Sequence, residues 1–179
     1  MIAVLSVCYP IAVYGFRAIV PSLVFVAVAL VLVGLRVTTL QSESAAIWRT
    51  PLLGAGAVLA AVAAVDGWLA AKSYPVVLSL AAAVAFGRSL LMPPSLIERI
   101  ARVREPSLPP EGQIYCRKVT IVWTVWLLVN AIIAAVLAAF GTEAAWALWT
   151  GLIAYLVMGV LFAGEMLLRR RLRHRSVAA

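Results

Sequence analysis

Charged side chains are scarce in this chain. Only 12% of its 179 residues are Asp, Glu, Lys or Arg, whereas 65% are hydrophobic, and the mean hydropathy is +1.06. A soluble domain of this composition would expose far too much apolar surface, and nothing suggests a second, soluble unit. The composition and length therefore predict a single membrane domain over residues 1–179.

Residues suited to catalysis or metal binding are also scarce. The chain has two cysteines, Cys8 and Cys116, with no C-x-x-C pair, and a single histidine, His174, inside an arginine run. This content does not match metal-ligand spacing or a histidine base. No carboxylate pair, nucleophile–base arrangement or phosphate-binding loop is visible in the sequence. We therefore predict a protein that is not an enzyme and that uses no cofactor and no metal.

Positive charge is the one kind of charge present in excess. The formal net charge is +8 and the pI is about 10.3. The basic residues stand in short stretches between and after apolar runs, which membrane orientation explains better than nucleic acid binding. We expect membrane lipids with anionic headgroups as partners, and no nucleic acid.

Six apolar segments follow one another along the chain. Spanning the hydrocarbon core takes about 20 apolar residues. The runs are continuous and lack the alternation of a membrane barrel, so the predicted fold is an all-α, polytopic transmembrane bundle of five to six helices. The segments are residues 1–16, 19–35, 51–69, 74–92, 115–140 and 143–168, with a basic tail at 169–179.

Segment one is the shortest. Its sixteen residues cover roughly 24 Å as a helix, short of a core about 30 Å thick, and Pro10 lies within it. It has no basic n-region and no clear cleavage site, so a retained helix is expected rather than a signal peptide. The segment either spans, giving six spans, or is re-entrant, giving five.

The basic residues define an orientation. Thirteen of the fifteen Lys and Arg residues fall on one side of the predicted topology. The positive-inside rule places that side, including the tail, in the cytoplasm of a bacterial inner membrane. The thirteen are Arg36, Arg49, Arg88, Arg99, Arg102, Arg104, Arg117, Lys118, Arg169, Arg170, Arg171, Arg173 and Arg175; the other side holds Arg17 and Lys72.

Aromatic residues near the segment ends fit two interfacial belts. Trp48 and Tyr115 are assigned to the inner belt. The outer belt is assigned Tyr14, Trp68, Tyr74 and Trp146.

A short amphipathic helix is predicted at 95–104, between spans four and five. Ser95 and Glu98 have the spacing of a capping box. Its apolar face would lie in the inner interface, with Arg99, Arg102 and Arg104 on anionic headgroups or a partner protein. That apolar face consists of Leu96, Ile97, Ile100 and Val103. A proline-rich extended connector is predicted to follow at 105–112.

Few polar residues lie within the apolar segments. Asp66 and Lys72, six residues apart, are predicted to form an interfacial ion pair. Glu143 is predicted to complement a helix N-terminus. Asn130 lies near the middle of segment five, where an amide needs a partner. We interpret it as a link between helices, with a lipid or substrate contact as the alternative.

Four stretches resemble the intracellular septation protein A family, also called YciB, of small bacterial inner-membrane proteins. The stretches are Tyr9-Pro10-Ile11-Ala12-Val13-Tyr14; Phe86-Gly87-Arg88 with Pro94-Ser95-Leu96-Ile97-Glu98-Arg99; Leu108-Pro109-Pro110 with Arg117-Lys118-Val119-Thr120-Ile121-Val122-Trp123; and Trp146. Their order and spacing agree over nearly the whole chain. Asn130 and the stretch Ala147-Leu148-Trp149-Thr150 depart from the family pattern, which indicates a divergent branch.

The resemblance implies a non-enzymatic protein that supports cell-envelope or septum synthesis as a scaffold, with envelope-synthesis or division proteins as partners. Two alternatives come from other classes. One is a small transporter or lipid-flipping component, and the other is a membrane subunit of a lipid or polyene biosynthetic complex.

The orientation is testable with reporter fusions. Because thirteen basic residues lie on one side, we expect alkaline phosphatase fused after Ala179 to be inactive and a fluorescent protein at the same position to be bright. An active phosphatase at this position would reverse the orientation. The accessibility of a tag placed before Met1 distinguishes six spans from five.

Overall fold

The computed structural model describes residues 2–40 and 45–177, and helices make up nearly all of this part of the chain. The helices are α1 (Ile2–Phe16), α2 (Ser22–Thr39), α3 (Ala45–Ala63), α4 (Gly67–Leu91), α5 (Leu96–Arg104), α6 (Pro110–Phe140), α7 (Glu143–Leu148), a π-helical turn (Trp149–Ile153) and α8 (Ala154–Val177). The last three run on without a break. No strand occurs in the described residues, which confirms the predicted all-α fold.

Five helices are long and apolar enough to cross a bilayer. They are α2, α3, α4, α6 and the continuous helix that begins at Glu143. This confirms a multi-pass membrane protein. Helix α1 is shorter: its 15 residues cover about 22 Å. Both topologies, with five spans and with six, therefore stay open.

Helix α4 lies at the centre and packs against α1, α2, α3 and α6. Its contact surfaces consist largely of alanine, and Ala70, Ala71, Ala81 and Ala85 are almost completely buried. Small side chains let helix backbones approach closely, which is how helices associate where lipid removes the usual hydrophobic driving force. The alanine content of α4 therefore accounts for its central place.

Helix α1 is packed into the bundle despite its length. The Tyr9 hydroxyl lies 2.9 Å from the carbonyl oxygen of Ala71 and 3.2 Å from that of Phe25, so it links α1 to α4 and α2. On another side α1 meets the π turn. A Cβ added to Gly151 would lie 3.1 Å from a side-chain carbon of Ile11. Glycine is thus what permits the close approach of these two elements.

The boundary between the third and fourth spans differs from the prediction. Helix α3 ends at Ala63 and α4 begins at Gly67, so Asp66 is not part of segment three. The Asp66 Oδ1 atom accepts hydrogen bonds from the amides of Trp68 and Leu69, at 2.8 and 3.0 Å. A carboxylate in this position satisfies two of the four free N–H groups of a helix start. Capping chemistry, rather than hydropathy, fixes this boundary.

Two prolines occupy positions relative to helix starts that differ from the prediction. Helix α3 begins at Ala45 and includes Pro51, which was predicted to open it. Helix α6 begins at Pro110, so the extended connector is shorter than the predicted 105–112. Proline fits the first helical position because its missing N–H has no acceptor there.

Two of the aromatic residues assigned to the outer belt belong to the core instead. Tyr74 and Trp146 are each only 1% exposed. The Trp146 indole Nε1–H donates to the carbonyl of Lys72 at 3.2 Å. Buried Tyr and Trp side chains require a polar partner, and neighbouring helices supply one here. The position of an aromatic residue near a segment end does not distinguish the buried core from the membrane interface.

The link from Tyr9 is testable by removing one oxygen. We expect Tyr9→Phe to lower the free energy of unfolding in detergent by about 0.5–1.5 kcal/mol, because a buried carbonyl loses its donor. Tyr14→Phe is the matched control, since Tyr14 is more exposed and its hydroxyl makes no hydrogen bond in the described residues. Equal effects of the two substitutions in thermal or denaturant unfolding would contradict this assignment.

Candidate functional site

Asn130 joins three elements at mid-span. Its Nδ2 donates to the Ser79 hydroxyl of α4 at 2.9 Å, and its Oδ1 accepts from the Trp149 indole at 3.0 Å. Trp149 is the first residue of the π turn. Asn130 is buried, and both ends of its amide have partners within the protein. This geometry matches an interhelical link.

Two of the three arginines of α5 make side-chain hydrogen bonds within the protein. Arg99 donates to two carbonyls of the preceding turn, from Nε to Pro94 at 2.9 Å and from Nη2 to Met92 at 3.2 Å. Arg102 donates from Nε and Nη2 to one carboxylate oxygen of Glu98, at 3.0 and 2.7 Å. The Arg99 bonds tie α5 to the turn before it, whereas the Arg102 bonds lie within the helix.

The predicted capping box does not form. The buried Ser95 hydroxyl has no hydrogen-bond partner among the described residues, and the Glu98 carboxylate pairs with Arg102 one turn later. The Ser89 hydroxyl of α4 accepts the Leu96 N–H instead, at 2.9 Å. An i, i+4 ion pair competes for the carboxylate, and the neighbouring helix supplies the cap.

The apolar residues of α5 divide between two faces. Leu96 and Ala101 are buried, and Ala101 packs in a cluster with Ile97 next to α6. Ile100 and Val103 are 60% and 84% exposed. The prediction of a single lipid-facing apolar face is therefore wrong for Leu96 and Ile97, because packing against α6 takes up that side of the helix.

Asp66 has a partner other than the expected one, and Glu143, which lies in the first turn of α7 as predicted, also has an ion-pair partner. Asp66 and Lys72 form no ion pair in the described part of the chain, because the Asp66 carboxylate caps α4. A separation of six residues also places the two side chains on different sides of a helix. Glu143 pairs with Arg17 at 2.8 Å. The side-chain cap at that helix start is the hydroxyl of Thr142.

Arg36 is the polar residue that sequence reasoning missed. Its Nη2 donates to the Ser6 hydroxyl at 2.9 Å, and the Ser6 oxygen lies 2.8 Å from the Tyr74 hydroxyl. Its Nε is buried and has no hydrogen-bond partner in the described residues. No carboxylate of residues 2–40 and 45–167 lies within ion-pair distance of it, so the described parts of the three helices around this cation supply no counter-charge.

The direction of the Arg36 side chain is unusual for an arginine at a span end. Such residues commonly extend toward the headgroups. Helix α2 continues to Thr39, however, and helical side chains lean toward the N-terminus of their own helix. The guanidinium is accordingly linked through Ser6 to Tyr74, which lies seven residues, or about 10 Å, from the start of α4 at Gly67. The charge is thus held inside the bundle.

A cavity of about 330 Å³ opens beside Arg36 between α2, α3 and α4. Leucine and tryptophan side chains form most of its wall, and Arg36 and Thr39 supply the polar groups. The residues that line it are Arg36, Thr39, Leu40, Trp48, Leu52, Leu78 and Ala82. A cavity with mostly apolar walls and a few polar groups is the usual form of a small-ligand site.

One sequence signal for this site follows Arg36. The prediction ends segment two at Leu35 and therefore treats Arg36 only as an orientation charge. The Thr38 and Thr39 hydroxyls bond back to the Leu35 carbonyl within the same helix. Two threonines after the arginine were therefore compatible with a longer helix, which would have placed the charge inside the span.

Comparison with known proteins assigns no relative to this chain: no family model, no curated protein and no solved structure matches it.

The role of Asn130 is testable by unfolding in detergent. We expect Asn130→Leu to lower the free energy of unfolding by about 0.6–2 kcal/mol, the range of hydrogen bonds between membrane helices. Val129→Leu, at the neighbouring exposed position, is the matched control and should leave stability unchanged. Loss of cellular function from Asn130→Leu without loss of stability would instead indicate a ligand contact.

Proposed function

We propose that this protein is a non-enzymatic scaffold in the bacterial inner membrane that supports cell-envelope or septum synthesis, as its resemblance to the septation protein A family implies. The observation that carries the proposal is the outward face of α5. That face holds Ile100, Val103 and Arg104 on a helix that is otherwise fixed to the bundle.

Rigidity is the first argument for a docking role. Contacts at three places hold α5: the Arg99 bonds to the preceding turn, the Ser89 cap, and packing against α6. A surface that is ordered before binding loses less entropy when a partner arrives. A linker that only separates two spans would not require these contacts.

The chemistry of the outward face is the second argument. Ile100 and Val103 present apolar surface, and the exposed Arg104 adds a positive charge at the same end of the helix. A partner helix that lies at the membrane surface, with an apolar stripe and an acidic residue, would complement this face. We propose that this partner belongs to an envelope-synthesis or division complex.

Two other functions remain alternatives. A small transporter or lipid-flipping component would be expected to contain interrupted helices around a mid-membrane site; in the spans, the π turn is the one such departure within the described residues. A membrane subunit of a lipid or polyene biosynthetic complex would use the same docking face with a different partner. Genes adjacent to this one distinguish the two kinds of partner.

The docking face is testable without disturbing the fold. We expect the double variant Val103→Glu, Arg104→Glu to fail to complement the cell-shape or division defect of a deletion strain. The first change places a charge against the partner's apolar stripe, and the second places a carboxylate against its acidic residue. Membrane levels should stay normal, since these residues make no buried contact. Arg99 and Arg102 are left intact, because their loss would loosen α5 itself.

The matched control is Lys118→Glu, an equal charge reversal at an exposed position of α6. It should complement fully. If the double variant complements as well as the control while inserting normally, α5 is not the docking surface and the scaffold proposal loses its support.

A further inference from the structure

We propose that the cavity beside Arg36 is a binding site for the phosphate group of an anionic phospholipid, with Arg36 as the phosphate contact. This inference stands on Arg36 and the cavity alone and does not rest on the scaffold role or on α5.

Arg36 has no counter-charge among the described residues. An ionisable residue within membrane spans usually faces a partner charge or a functional cavity, because an isolated charge there is costly. Among the described residues Arg36 bonds to the Ser6 hydroxyl, which in turn contacts the Tyr74 hydroxyl, and it pairs with no carboxylate. Hydroxyl groups orient a guanidinium but do not neutralise it. A bound anion would supply the charge that is missing.

The guanidinium also has donors to spare. It carries five N–H groups in a planar fork, and the structure assigns one hydrogen bond to it, from Nη2 to Ser6. Phosphate oxygens match this fork and accept two parallel hydrogen bonds from it. Arg36 lines the cavity, and a phosphate bound there would accept from guanidinium N–H groups that Ser6 does not occupy.

The shape of the cavity favours a lipid over a free ion. Its volume of about 330 Å³ is at the lower end of small-ligand sites, which hold about 300–1,000 Å³. That is room for a phosphate with its glycerol group, whereas a lone phosphate would leave most of the space empty. Trp48, Leu52 and Leu78 would line the glycerol and the first acyl carbons. Basic pockets between spans bind acidic lipid headgroups in this manner.

Ser6 and Tyr74 are the positioning residues of the site. The Ser6 oxygen lies between the Arg36 Nη2 and the Tyr74 hydroxyl, at 2.9 and 2.8 Å. The chain of contacts ties the guanidinium to α1 and α4 and stops it from turning toward the polar end of α2. The fork is therefore held at the cavity before any ligand arrives.

The test uses the full chain in neutral detergent. Phosphatidylglycerol, phosphatidylcholine or sodium phosphate is titrated, and the midpoint of thermal unfolding is followed at each concentration. We expect phosphatidylglycerol alone to raise the midpoint in a saturable way, because a ligand that binds the folded state stabilises it. Brominated phosphatidylglycerol should also quench tryptophan fluorescence, and much of that quenching should be absent from Trp48→Phe.

Three variants locate the binding. Arg36→Gln should weaken the apparent affinity at least about tenfold, since a charge-assisted hydrogen bond is lost. Ala82→Phe, which fills the cavity and leaves the Arg36–Ser6 contact in place, should do the same without lowering stability in the absence of lipid. Lys118→Gln removes an equal charge outside the cavity and should bind as the native chain does.

Several results would overturn the proposal. One is an affinity for phosphatidylglycerol that Ala82→Phe leaves unchanged. This variant decides the question even if Arg36→Gln does not fold. Another is equal protection by phosphatidylcholine, which would show that charge is not recognised. If sodium phosphate gives the full rise in the unfolding midpoint and phosphatidylglycerol raises it no further, the site binds free phosphate. Quenching that is identical in Trp48→Phe would place the lipid elsewhere.

Discussion

The close packing of α4 against its neighbours is the constraint on which the other features depend. In lipid the attraction between helices comes from contact and from hydrogen bonds, so a central helix must carry small residues where others meet it. The buried alanines of α4 meet this need. Two polar side chains of α4, the partly buried Ser79 and the buried Tyr74, lie at hydrogen-bond distance from Asn130 and Ser6. Both polar networks of the bundle are thus built on the same helix.

These two networks differ in a way that bears on function. The network around Asn130 is closed, because each amide group has a partner within the protein. A network of this kind stabilises an arrangement of helices. The network around Arg36 is open, with an unpartnered Nε and an adjoining cavity. The polar groups around Asn130 therefore stabilise helix packing, whereas those around Arg36 are the candidates for ligand binding.

The sequence was sufficient to predict the fold class and the membrane environment, because continuous apolar runs leave few other solutions. The short helix at 95–104 and the helix start at Glu143 were also predictable, since their local patterns are strong. Boundaries set by side-chain capping were not. Asp66 scored as a residue inside one span and proved to be the cap of the next, because hydropathy does not register a bond to two amides.

The candidate site was less predictable, because each of its parts is ordinary in isolation. Arg36 near a span end predicts orientation, and Trp48 near another predicts an interfacial belt. Only the packing of α2, α3 and α4 brings the two to one cavity. Likewise, Ser95 and Glu98 satisfy the sequence rule for a capping box, yet Arg102 and Ser89 offer competing partners that the rule cannot weigh. Long-range contacts decide these cases.

The unequal lengths of the helices have a consequence for the surrounding bilayer. Helices α1, α2 and α3 have 15, 18 and 19 residues, whereas α4 and α6 have 25 and 31. At about 1.5 Å per residue the first group reaches roughly 22–28 Å and the second roughly 38–46 Å. The three short helices pack around the longer central helix α4. Lipid beside the short helices must thin, or the long helices must tilt, each at a modest free-energy cost per ångström. The stability of the bundle is therefore expected to depend on the thickness of the bilayer around it.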